Sequence, residues 1–114
     1  MAIDWSEDIV VADLNDEPAL SDELNTLSER FTQFGAGEAP HIVLSFGNVT
    51  YVNSSNIAQM LRLRKQAQES GVQLRLAAVE EQVWQVFAVT GLDKVFTFSP
   101  DLLTAIAGLQ LNDA

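Results

Sequence analysis

The sequence predicts an α/β domain: four to five strands in one mixed, mostly parallel sheet, with about four helices packed on it. Apolar, β-branched runs alternate with amphipathic stretches of helical period along the chain, and such alternation implies crossover connections. At 114 residues the chain has the length of one domain, and residues 1–114 are read as one unit. At 47% hydrophobic it can bury a core of its own instead of remaining disordered.

Ile3 to Trp5 is expected as a short edge strand, Ser6-Glu7-Asp8 as a turn, and Ile9 to Leu14 as a β-branched strand. Asn15-Asp16-Glu17-Pro18 breaks that strand. Pro18 suits a helix start, and so do the acids beside it. Leu20, Leu24, Leu27, Phe31 and Phe34 then form one apolar helical stripe, ended by Gly35 and Gly37. Ala36 to Pro40 reads as a loop, and His41 to Phe46 as a strand covered on both faces. Gly47-Asn48 is expected to turn, and Val49 to Val52 leads into a polar knot, Asn53 to Asn56. A helix follows from about Ser55 to Ser70, with apolar residues at 57, 60, 61, 63 and 67, and Gly71 stops it. Gln73 to Ala77 is the next strand, Glu80 to Thr90 a helix closed by Gly91, and Val95 to Phe98 the last strand. Ser99 or Asp101 caps a final helix, Leu102 to Leu109.

Charge and composition exclude several function classes. The net charge is −10, and residues 1–40 carry ten acids against Arg30 alone. Such a balance repels nucleic acid and anionic lipid, so neither is an expected partner. It fits a solvated acidic face or, more sharply, a basic partner surface. No apolar run reaches the roughly 18–20 residues of a membrane-spanning helix, so no membrane insertion is expected. Met1-Ala2-Ile3-Asp4-Trp5 does not read as a secretory signal, and there is no cysteine; both fit a cytoplasmic protein. The two matches to the N-glycosylation pattern, at Asn48 and Asn53, are therefore taken as accidental. No cofactor or metal site is expected. His41 is the single histidine and sits at a strand start, where a structural role explains it. Glu80-Glu81 reads as first-turn acids instead of a catalytic pair, and Gly35-Ala36-Gly37 follows a helix where a phosphate loop would precede one. The chain is not read as an enzyme.

The polar knot is the informative stretch. Asn and Ser at a strand-to-helix junction cap the helix by accepting hydrogen bonds from its free N–H groups. The same position lies at the positive end of the helix dipole, where a phosphate is tolerated. It also lies at the carboxyl end of a strand, where parallel sheets place their sites.

A strand, a short turn of Asp-Ser-Ser-Gly type and a helix of Leu-x-x-Leu/Arg-x-x-Ala spacing characterise the STAS family, the anti-sigma factor antagonists. This chain resembles that family through Asn53-Ser54-Ser55-Asn56 followed by Ile57, Met60, Leu61 and Ala67. The likeness continues in Glu69-Ser70-Gly71-Val72-Gln73-Leu74-Arg75-Leu76-Ala77 and from Val83 to Phe96 with Gly91-Leu92-Asp93-Lys94. It spans about residues 8–108 and is most specific in the C-terminal half. The resemblance implies a cytoplasmic protein-interaction switch. Unphosphorylated, it would bind an anti-sigma factor serine kinase; phosphorylated at Ser54, it would let go, and a serine phosphatase would restore binding. Ser54 maps to the family's phosphoacceptor, with Ser55 the second candidate; the bare-sequence alternative is that both serines only cap the helix. Asn53, Ser54, Ser55, Asn56, Ile57, Met60 and Arg64 are the implied partner contacts. Arg62, Arg64 and Lys65 read equally as a solvated helix face. Asn53 and Asn56 stand where the family has Asp and Gly, which favours a second reading: an accessory subunit that binds the ATPase of a lipid-transport ABC system without phosphorylation. Nucleotide binding at the junction is weaker, since no fixed cation lies there.

Overall fold

Strand β3 (His41–Asn48) is the middle of the sheet, and its near-continuous apolar run, broken by Ser45, is the reason: Ile42 through Phe46 are all buried. The structure is a computed structural model and describes residues 2–5, 8–35 and 37–112. In sheet order, β1 (Ala2–Trp5) and β2 (Ile9–Asn15) lie on one side of β3, and β4 (Leu74–Ala77) and β5 (Thr97–Ser99) on the other. β1 runs antiparallel to β2, and every other neighbouring pair is parallel. The helices are α1 (Ala19–Phe31), α2 (Ser54–Glu69), α3 (Glu81–Thr90) and α4 (Leu102–Asn112).

Each crossover joins a strand to its next neighbour in the same direction across the sheet, so one handedness carries α1, α2 and α3 to the same face. That face holds the main core, with Val10, Ala12, Leu14, Ile42, Leu44, Phe46, Leu74 and Leu76 pointing into it. The alternate residues Ile9, Val43 and Ala77 point the other way, into a small second cluster closed by Ala105 and Leu109 of α4. In the main core Phe87 sits edge-on to Phe96 and Phe98 at centroid distances of 5.7 and 5.4 Å, joining α3 to the β5 side of the sheet. No helix among the described residues is long and apolar enough to cross a membrane.

The expected architecture is found, with five strands, and four of its boundaries move by more than one residue. The helical stripe was expected to reach Phe34, but α1 ends at Phe31. There Thr32 returns its hydroxyl to the Glu29 carbonyl, and Gln33 and Phe34 donate to carbonyls three residues back, so the chain tightens out of the α-helix. Phe34 then packs on Trp5, 5.7 Å between rings, and stays 38% exposed. Gly47 and Asn48 do not turn; they extend β3, and Asn48 pairs with Asn15 across a register shift. The last strand begins at Thr97, because Leu92–Lys94 winds a short 3-10 turn before it. The last helix runs beyond Leu109 to Asn112, and Asp101 caps it by accepting from the Thr104 N–H at 2.7 Å. Ser6 and Glu7 of the expected first turn, and Ala36 of the expected loop, lie outside the described residues. His41 Nδ1 accepts from the Gln73 N–H at 3.0 Å and so pins the start of β4 to β3, a structural role.

Candidate partner-binding site

The Asn53–Asn56 knot forms a reciprocal capping box. Asn53 Oδ1 accepts from the Asn56 N–H at 2.9 Å, and Asn56 Oδ1 accepts from the Asn53 N–H at 3.0 Å. Two otherwise free donors at the start of α2 are satisfied by this pair. Capping therefore falls to the asparagines, and Ser54 and Ser55 are left as the first two helical residues, both exposed.

The neighbouring loop at the carboxyl edge of the sheet completes the site. β2 and β3 are parallel neighbours, so the turn after β2 lies beside the junction after β3. Asp16 in that turn accepts from the Thr50 N–H at 2.8 Å, the Thr50 hydroxyl at 2.7 Å and the Tyr51 N–H at 3.3 Å. These bonds, the Thr50 hydroxyl first, hold its carboxyl below the usual carboxylate range. Glu17 accepts from the Ser21 hydroxyl and N–H at the start of α1 and from Asn56 Nδ2 at 3.3 Å. The Ser21 hydroxyl, then its N–H, lower the Glu17 pKa, and the Asn56 and Asn53 side chains add to the effect. Glu17 thus touches both residues that flank the two serines. The Glu17–Pro18 peptide is cis. Glu23 is buried one turn further along α1, where it takes the backbone and side-chain N–H groups of Asn15 at 2.8 and 2.9 Å and fixes the end of β2.

The structure divides the seven expected contact residues. Ser54 and Ser55 are exposed, and Asn53, Ile57 and Arg64 are half-buried. Asn56 and Met60 are corrections: each is 0% exposed and offers a partner no surface. Asn56 turns inward to Glu17 and to the Ser21 hydroxyl because its amide completes the capping box. Met60 faces the sheet because it lies on the same stripe as Leu63 and Ala67. Arg64 is partly committed, with its Nε donating to the Val95 carbonyl at 3.0 Å. The outer face of α2 is instead Ala58, Leu61, Arg62 and Lys65, and Tyr51, 62% exposed, stands just before it. Sequence reasoning passed over Asp16 and Glu17 as ordinary helix-start acids. Their place at the carboxyl end of the strand next to β3 was the signal that tied them to the serines.

A family model for the STAS domain matches residues 16–105, most of the chain. The chain belongs to the STAS family. Solved structures agree on the fold. A Thermotoga maritima protein described as a candidate anti-sigma factor antagonist is similar with a TM-score of 0.79 at 17% identity, over 96% of this chain and 93% of its own. A STAS domain protein from Planctomyces limnophilus gives a TM-score of 0.81 at 16% identity, over 96% and 97%. The anti-sigma factor antagonist SpoIIAA in its unphosphorylated form gives 0.69 at 14% identity, over 94% of each chain. Within this STAS domain, the serines and the acidic turn lie together at the carboxyl end of the sheet, and the outer face of α2 runs back from them toward the other end.

Proposed function

We propose that this STAS domain is an anti-sigma factor antagonist, a cytoplasmic binding protein and not an enzyme. Unphosphorylated, it binds an anti-sigma factor serine kinase; phosphorylation of Ser54 releases the kinase, and a serine phosphatase resets the switch. The observation that carries the reading is the exposure of Ser54 at the first position of α2 while the asparagines on either side turn into the capping box and Glu17. A kinase can reach the hydroxyl without disturbing the fold.

The charge environment supports a release mechanism. Residues 48–61 carry no charged side chain, and the nearest acids in the adjoining turn are Asp16 and Glu17. A phosphate adds about −1.5 to −2 charge there with no cation in its own segment to receive it. In a close interface its desolvation and like-charge repulsion oppose binding, and about 1.4 kcal/mol already weakens affinity tenfold. The partner's contacts are assigned to Tyr51, Ser54, Ser55 and the outer face of α2, with half-buried Asn53, Ile57 and Arg64 at the rim.

The test is capture from native lysate by wild type, Ser54→Ala and Ser54→Asp, followed by phosphorylation of each form with the captured kinase. The expected result is a protein kinase of the histidine-kinase-like ATPase type, held by wild type and by Ser54→Ala and at least tenfold weaker by Ser54→Asp. That kinase should modify wild type and leave Ser54→Ala unlabelled. Capture of a lipid transporter's ATPase by all three forms alike would overturn the switch and make the chain an accessory subunit.

A further inference from the structure

We infer that α4 is a self-association surface through which two copies of this chain pair back to back about a two-fold axis at Ala107. α4 reads Leu-Leu-Thr-Ala-Ile-Ala-Gly-Leu-Gln-Leu-Asn and contains no charged residue, in a chain of net charge −10. Its inner side is spent on the sheet, where Ala105 and Leu109 are fully buried. Its outer side is apolar as well. Leu103 and Leu111 are each 79% exposed, and Ala107 between them is exposed. A helix packed by one side only would ordinarily carry charged and polar residues on the other.

The pattern selects the occupant. Leu103, Ala107 and Leu111 are spaced by four, so they form one ridge about 12 Å long on the helix surface. That ridge is palindromic. A two-fold interface needs a self-complementary patch, in which residue i meets j and j meets i. With the axis at Ala107, Leu103 of one copy meets Leu111 of the other at both ends, and the two alanines meet in the middle. Their small side chains let the helix axes approach to about 8 Å. Thr104 and Gln110, three residues to either side of Ala107, are exposed and become the facing polar pair at the rim. Gly108 is not available for the contact on its own side, because the Arg75 guanidinium lies against it and a methyl there would collide with that group.

Electrostatics points to the same surface. Two chains of charge −10 repel, and they can meet only where charge is sparse. From Gln82 to Asn112 the charged residues are Asp93, Lys94 and Asp101, with Asp101 engaged as the α4 cap and Arg75 of β4 lying against Gly108, whereas residues 1–40 carry ten acids and one base. α1, with Asp22 and Glu29, lies on the opposite face of the sheet from α4. Salt at physiological strength screens charge beyond about 8 Å. A single pair of three-turn helices buries less than the ~800 Å² per partner of a standard interface, so the dimer is a weak one that forms with concentration. α2 and Ser54 lie on the far side of the sheet and stay accessible, so the dimer would present two partner sites.

The chain has no cysteine, so single cysteines report the contact directly. Under mild oxidation Ala107→Cys should form disulfide-linked dimers at least tenfold faster than Val89→Cys, an 86% exposed control on α3. By sedimentation, the wild-type mass should rise toward that of two chains with concentration, and more so at higher salt. Leu103→Glu should remain monomeric with an unchanged far-ultraviolet spectrum. Equal cross-linking at residues 89 and 107, or a wild type that stays monomeric to millimolar concentration, overturns the proposal and leaves α4 to a different partner.

Discussion

At the residue scale, the two asparagines that depart from the family's usual turn are structural. Asn53→Ala removes the acceptor for the Asn56 N–H and is expected to cost about 1 kcal/mol in urea unfolding. Asn56→Ala strands the Asn53 N–H and withdraws a fully buried amide from Glu17, so about 1–3 kcal/mol is expected, and wild-type stability in either variant would contradict the capping box. The acidic turn adds a pH dependence. Asp16 and Glu17 titrate lower in the folded chain than in the unfolded one. Their contribution is therefore complete above the unfolded value near ~4 and is lost as pH falls through the depressed folded values. Stability measured from pH 6 downward should decline less steeply in Asp16→Asn than in wild type.

At the scale of elements, α2 separates core from surface within one turn. Met60→Ala should cost about 2–5 kcal/mol, since the side chain is fully buried, whereas Leu61→Ala, at 36% exposure, should stay within about 0.5 kcal/mol. If the proposed function is right, Leu61→Ala should nonetheless weaken kinase capture. This pair also marks how far the sequence was legible. The alternation of elements and the core strand His41–Phe46 could be read because period and composition agree there. Which of residues 57, 60 and 61 faced out could not, because the stripe is wide and the helix's angle to the sheet is fixed by α1. Phe34 misled for a related reason: its spacing fits the helix, but contact with Trp5, far away in sequence, draws it off. Nor does the reach of Asp16 to Thr50 leave a local pattern, since thirty-four residues separate them.

At the scale of the whole molecule, charge is unevenly spread, and self-repulsion should be felt in the fold. Raising salt from ~10 to ~150 mM shortens the screening length from about 30 to 8 Å and should raise the melting temperature by a few degrees. A melting temperature that falls with salt would show that attractive pairs outweigh the excess of acids. The two faces of the sheet are also unequal. Three helices share the large core, while α4 is fastened by a cluster whose buried members are Ile9, Val43, Ala77, Ala105 and Leu109. That inequality sets an order of motion. The amides of α4 should exchange with deuterium through a local opening of lower free energy than those of β3, which wait for global unfolding. The final helix would then behave as a clasp that lifts many times for each time the body of the protein comes apart.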